Sequence, residues 1–557
     1  MDGAVSDWVD AFRRAHGRAP RLLHIGNVAN NAYLNAKILN QAGIENHVAC
    51  GPYHHIMGCP EWEDAPIGPD VGDPFLPVWK ENELEGFQRP HWFVQGPWPL
   101  CWAQLDAISR RAWGRARWIQ VVIDLSRRFH RRNWGHWLTR LEQAVGGAVE
   151  WLRRSGDSGR DGGDGPVFRA RGGGRIRSIL FRTLRPLVRA IRPATHAIVG
   201  LAIEPPLASG RRGPRPDPGA LRLRYEELFP AEEGATPAEL DPILQEARLF
   251  RRVTHHYDAI VGYGTEAWWA LAAGKRPYFA YEHGTIRHLP FEATPEGRRC
   301  ALTYRLADGV FVTNCDNVVA AERLALPDYR FVPHPVNETA VRITPRADGL
   351  RGSLREELGA RFLVFHPSRQ HWEERRHPDW EKGNDILIRG FARLVEDTGG
   401  DAGAIFVDWG QTVEESRALL RELGVDQHVR WIEPQPNRRM IDYIHACDVV
   451  ADQFHLGAFG STMPKALLCE KPAMLYLDEE RHRWCFPELP PVLNARTPEE
   501  VHAGLLRLHR DPEAARALGK AGRDWYDRYH SNAVIRDVLI GALVEHVPMA
   551  DTGRGRS

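Results

Sequence analysis

Residues 361–390 read RFLVFHPSRQHWEERRHPDWEKGNDILIRG, and this stretch decides the architecture. RFLVFH is an apolar run of strand length, the polar segment behind it is loop, and a helical pattern starts at Gly383. Arg369 therefore stands just past a strand end, and Lys382 stands at the threshold of a helix. Two cations beside a helix N-terminus make an anion site suited to a diphosphate.

Downstream the same grammar repeats. AIFVDWG, VRWIEP, DVVADQF and PAMLYLD are short apolar runs, separated by helical patterns that end at Leu423, centre on Ile441 and begin after Thr462. Upstream, RLLHIGNVANNAYLNAKILNQAGIENHVAC gives a strand over 22–25, a turn at Gly26, a helix ending near Gly43 and a second strand, a βαβ opening. After a long irregular region the alternation resumes at YDAIVGYG, PYFAYEHG, DGVFVTN and YRFVPHP, and a polar crossover near 338–356 separates the two series. The expected fold class is α/β, with two Rossmann-like doubly wound domains facing across a cleft and a large insertion in the first. The expected boundaries are 1–340 for the N-terminal domain, with its insertion at about 60–241, and 341–530 for the C-terminal domain. The segment 531–557 is a last helix and a tail, whose final ADTGRGRS is expected to fray. Architecture alone names no reaction.

Composition narrows the class. A chain of 557 residues is too long for one small module. Its 43% apolar and 26% charged residues exclude wholesale disorder. Lys and Arg number 73 against 72 Asp and Glu, so a net charge of +1 gives no global attraction to nucleic acid. The eight cysteines are scattered, with no CxxC pair and no histidine at zinc spacing, so reduced, buried thiols and no metal are expected. The opening MDGAVSDWVDAF lacks a basic segment before an apolar core, and no run of ~18 apolar residues occurs. A cytoplasmic location is expected.

The order of HPSRQHW, EKGND, DILIRGFARL, IFVDWG, LGVDQHVRWIEP, IHACDVVADQF and GAFGSTMPKALLCEKP across 361–477 resembles the retaining glycosyltransferases of family 4, which have the GT-B fold. In that family an Arg after the first C-domain strand and a Lys in a KG dipeptide hold the diphosphate of a nucleotide-sugar donor. Arg369 and Lys382 match them. The resemblance implies sugar transfer, with retention, from a nucleotide-sugar donor to a glycan, lipid-linked or other acceptor. The donor is a substrate, and neither cofactor nor metal is implied.

One departure stands out. The family usually carries two acids eight apart in a stretch like EGFGLPVLE, and here Gly457 and Lys465 stand in their places. A lysine has no acceptor for ribose hydroxyls, so Lys465 either adds a cation at the phosphates or points to solvent. The turn of Gly457, Phe459, Gly460, Ser461 and Thr462 still brings backbone N–H groups to the donor. In the first half, AYEHGTIR places His283 where the family has a histidine close to the transferred sugar. Glu282 is expected to orient that imidazole or meet the acceptor, and Arg287 to meet an acidic group. Gly26, Asn27, Asn30 and Asn31 form the first strand-to-helix turn, where the family contacts acceptor or donor; Asn30 alternatively caps its helix. The missing acids leave open a catalytically silent relative acting as a glycan-binding or scaffold protein, and a GT-B sugar-nucleotide epimerase.

The insertion carries other signals. Eight arginines and no acid lie between 166 and 203, and 175–192 reads as a basic amphipathic helix for an anionic membrane surface or, equally, as a helix packed with its charged face outward. Eight more arginines between 108 and 132 accompany Trp113 and Trp118, without any nucleic-acid reader motif. Trp92, Trp98 and Trp102 are candidates to stack on sugars or to be buried.

Overall fold

A computed structural model of the chain describes residues 2–79, 84–131, 218–230, 235–341, 345–372 and 381–549. Two compact units emerge, Met1–Phe93 with Gly213–Ser557, and Val94–Arg212.

Two sheets organise the larger unit. The first contains β1 Arg21–Ile25, β2 Glu45–Ala49, β3 Phe93–Val94, β4 Ala259–Tyr263, β5 Tyr278–Tyr281, β6 Gly309–Val312 and β7 Tyr329–Phe331, in the order β3-β2-β1-β4-β5-β6-β7. The second contains β8 Phe362–His366, β9 Ala402–Val407, β10 Val429–Ile432, β11 Val449–Ala451, β12 Ala473–Leu475 and β13 Leu493–Asn494, in the order β10-β9-β8-β11-β12-β13. Neighbours run parallel, with Leu22 opposite both Asn46 and Ala259 in the first sheet and Val364 opposite both Ala404 and Val449 in the second. Strands β4, β5, β6, β8 and β9 are buried along their whole length, because helices cover both faces of each sheet. Both orders reverse direction beside the first strand of their series, β1 in one sheet and β8 in the other. Such a reversal opens a crevice at the strand C-terminal ends. This is the two-Rossmann-domain GT-B fold.

Each sheet has its own core, yet the chain does not finish where it began the second one. Leu22, Val48, Tyr263, Phe279 and Phe311 of the first core pack with Ile535, Leu539, Ile540 and Leu543 from the helix Asn532–His546. The preceding helix, Pro512–Tyr529, instead gives Trp525 and Tyr526 to the second core beside Phe365, Ile405 and Leu475. That helix lies close: a Cβ on Gly519 would sit 2.1 Å from the Glu470 carbonyl oxygen.

In the smaller unit the helices Trp98–Ser109 and Trp113–Arg131 pack together, and Leu105, Ile108, Ala116, Ile119 and Ile123 on them are buried. Trp102 is buried and stacks on Trp98 at 4.9 Å, whereas Trp118, Val121 and Leu125 are exposed. Trp92, in the larger unit, stacks on Tyr33 at 5.3 Å. The expected basic helix at 175–192 lies outside the described residues. No disulfide joins the eight cysteines, and seven are buried. Among the described residues no helix is long and apolar enough to cross a membrane.

Candidate active site

The second sheet presents its cations from the loop that follows strand β8. Strand β8 closes on His366, whose Nδ1–H donates to the Ala451 carbonyl at 2.9 Å and whose Nε2 accepts from Asn384 Nδ2 at 2.8 Å. Burial holds this imidazole neutral, its pKa pushed down to about 4. Asn384, first residue of the helix Asn384–Asp397, also donates to the Arg369 carbonyl at 3.1 Å and accepts from the His371 N–H at 2.9 Å. One buried amide thus fixes the arginine loop against a helix start. The Arg369 guanidinium lies 5.4 Å from the centre of the Trp409 ring, and burial lowers its pKa. Among the described residues no carboxylate pairs with it, and a desolvated cation in that state favours an anionic ligand.

Lys382 arrives from the other side of the same loop. Its Nζ donates to Gln453 Oε1 at 2.8 Å, its backbone N–H donates to the His371 carbonyl at 2.6 Å, and its carbonyl accepts from the Phe454 N–H at 2.7 Å. Burial and then the two cations push the His371 pKa down to about 4. Beyond strand β11, Asp452 accepts a hydrogen bond from Ser368, and burial raises its pKa. Its Oδ2 is buried with no hydrogen-bond partner among the described residues. A Cβ on Gly460 would sit 2.6 Å from that oxygen, so the glycine admits the close approach.

The first sheet supplies neutral hydrogen-bonding groups. Gly26 ends β1 at φ 87°, with its N–H on the Ala49 carbonyl at 2.8 Å. Asn27 donates to Asn30 Oδ1 and to the Gly58 carbonyl, each at 2.9 Å, and accepts from the Tyr33 N–H at 3.0 Å. Asn30 spends its amide on the Cys59 carbonyl at 3.1 Å. It occupies the N-cap position of the helix Asn31–Gln41 without a side-chain capping bond. Both asparagines therefore shape the turn, and the next residue faces the ligand space. Asn31 Nδ2 lies 2.9 Å from His283 Nε2 and 3.4 Å from His334 Nδ1, and His283 Nε2 lies 3.1 Å from the Val28 carbonyl oxygen. Burial pushes the His283 pKa down to about 4 and that of His334 well below its ordinary value.

Glu282, the residue before this histidine, is fully buried. It accepts from the backbone N–H groups of Gly284 and Thr313, and burial pushes its pKa up to about 7. Arg287 pairs with Asp316 of the same half through two contacts at 2.5 and 3.0 Å.

These groups meet around a cavity of about 500 Å³. Of the residues expected from sequence, Asn31, His283, Arg287, Arg369, Lys382, Phe459, Gly460 and Ser461 line it. Gly26, Asn27, Asn30, Glu282, Gly457, Thr462 and Lys465 are not among its lining residues. Gly457, at φ 73°, is walled in by Tyr476 and Asp478, with a Cβ there only 2.8 Å from Tyr476 Cε1. Lys465 is partly buried, and its main charged neighbour is Glu63, whose carboxylate accepts from Asn437 Nδ2 at 2.7 Å. Sequence reasoning missed Asn314, His334 and Gln453, which also line the cavity. His334 and Gln453 each lie just past a strand end, β7 and β11, and that position was the available signal.

Residues 377–525 match the family described as Glycosyl transferases group 1. The D-inositol 3-phosphate glycosyltransferase of Corynebacterium jeikeium (strain K411) is 27% identical over 147 residues, 24% of this chain and 32% of that protein. The protein of the same description from Corynebacterium aurimucosum is 27% identical over 164 residues, 27% of this chain and 35% of that one. The chain thus spans about a third of the length of these curated relatives. Among solved structures, Anabaena HepE in complex with UDP-glucose is 17% identical, with 60% of this chain and 98% of that chain covered at a TM-score of 0.43.

Proposed function

We propose that the protein is a glycosyltransferase that moves a sugar, with retention, from a nucleotide diphosphate donor to a hydroxyl of a glycan, lipid-linked or other acceptor. The observation that carries this reading is the division of one cavity. Arg369 and Lys382 line it from the second half of the chain, and Asn31, His283, Asn314 and His334 from the first. As the bond between sugar and phosphate breaks, negative charge grows on the departing diphosphate, and the guanidinium and the ammonium stabilise it. His283, kept neutral by burial, has Nε2 engaged with Asn31 and the Val28 carbonyl, so its Nδ1 is the ring nitrogen left to hydrogen-bond a sugar hydroxyl, and it adds no charge. The match of 377–525 to a glycosyltransferase family and the names of the curated relatives support the class of reaction. On this reading 1–340 holds the acceptor and 341–530 the donor, in a cytoplasmic protein with peripheral contact to an anionic membrane.

Incubation with a panel of nucleotide sugars and acceptors tests the proposal. Donor-dependent glycoside with the donor's anomeric configuration is expected, and free nucleotide without glycoside contradicts it. A second reading, a silent glycan-binding relative, draws on Gly457: its walled-in position leaves no room for a carboxylate where the resembling family has one. Binding of nucleotide sugar with no turnover of any acceptor favours that reading.

A further inference from the structure

We infer that Gln453 is a positioning residue whose side-chain amide aims the Lys382 ammonium at the diphosphate and ties it to the glycine-rich turn. The inference rests on the donor reading above. Gln453 follows the short strand β11 and is 3% exposed, so both ends of its amide need partners. Oε1 accepts from Lys382 Nζ at 2.8 Å, and Nε2 donates to the Ala458 carbonyl. Only one orientation of the amide works. The reverse would set an NH₂ group against an ammonium and an oxygen against a carbonyl oxygen.

The residue type is equally constrained. A glutamate would neutralise the ammonium and repel the Ala458 carbonyl. An asparagine is one methylene short, and an apolar side chain leaves that carbonyl and one ammonium donor without the bond they have now. The backbone holds the same geometry, since Tyr476 N–H donates to the Gln453 carbonyl at 2.8 Å and Phe454 N–H to the Lys382 carbonyl at 2.7 Å. Gln453 thus couples a phosphate-facing cation on one loop to Ala458 on another, and both Ala458 and Lys382 line the cavity.

Equilibrium binding of UDP, GDP and ADP, each measured against its nucleoside, tests the assignment in the full chain. The wild type is expected to bind one diphosphate tighter than the matching nucleoside. Gln453→Met should weaken that diphosphate about ten-fold, the size of one lost hydrogen bond to a charged group, with nucleoside affinity unchanged. Lys382→Ala should lose at least as much, and the double variant no more than Lys382→Ala alone, because the amide acts through the lysine. Gln453→Glu, which keeps the side-chain length, should also weaken the diphosphate selectively. Wild-type affinity in both Gln453 variants, equal loss of nucleoside binding, or additive losses in the double variant overturn the role of Gln453 while leaving the donor reading intact. A wild type that binds no diphosphate better than its nucleoside overturns the donor reading and this assignment with it.

Discussion

Arg369 and Lys465 are both cations of the second half, but their surroundings ask different things of them. Arg369 lines the cavity without an acidic partner among the described residues, so Arg369→Ala should lower kcat/KM by about 2–4 kcal/mol, as loss of one transition-state donor does. Arg369→Lys should recover only part of this, because an ammonium lacks the planar face now set over Trp409. Steady-state kinetics of the two variants decide it, and wild-type turnover in Arg369→Ala removes the residue from the mechanism. Lys465 is not among the lining residues, and its main charged neighbour is Glu63. Lys465→Glu sets a second carboxylate beside the first, so stability should fall by roughly 1 kcal/mol while nucleotide affinity stays unchanged. Thermal melts with and without nucleotide check both halves of that statement. His283→Ala should lower kcat and leave diphosphate affinity in place, since Arg369 and Lys382 are untouched. The arginine, the lysine and this histidine were legible because each stands at a strand end or helix start, positions that a one-dimensional pattern marks. The inward turn of Asn27 and Asn30 was not legible, because their partners at Gly58 and Cys59 belong to a later loop that only the fold brings near.

Among elements, legibility followed length. Runs such as RFLVFH and AIFVDWG became β8 and β9, since five or six consecutive buried residues leave a clear apolar signal. Strands β3 and β13 went unread, for a two-residue strand carries no periodicity at all. Helix packing leaves a sequence mark only where a small residue is forced. Gly519 is such a place: a methyl group there would meet the Glu470 carbonyl oxygen at 2.1 Å, and a backbone atom yields little. Gly519→Ala should displace the helix Pro512–Tyr529 and cost about 1–3 kcal/mol, the range for overpacking a tight contact. Chemical denaturation checks it, and a variant as stable as wild type would mean that the helix shifts freely.

For the molecule as a whole, acid is the sensitive direction. Burial pushes His24, His283, His366 and His530 down to about 4 and His47 to about 3. Between the ordinary histidine value of 6.5 and those values the unfolded chain takes up protons that the folded chain refuses, so stability is lost as pH falls through that window. Glu266 and Glu282, raised to about 7 by burial, act oppositely and remove stability as pH rises from about 4.5 to 7. With His55, His334, His371, His445 and His482 also lowered by burial, and Glu63, Asp385 and Asp452 also raised, ten histidines outweigh five carboxyls, so Tm should climb from pH 5 to pH 7 and level off above it. A scan of Tm against pH that is flat or falling over this range contradicts the neutral burial of these rings. The tandem sheets themselves were legible in the alternation of apolar runs, whereas the return of the helix Asn532–His546 to the first core was not, because nothing local says which of two sheets an apolar helix will cover. That return has a temporal consequence. During synthesis the strands β1 to β7 leave the ribosome long before Leu539 and Leu543 exist, so the apolar patch they will cover stays open while the second domain is being made. The half that is translated first is the half that finishes folding last.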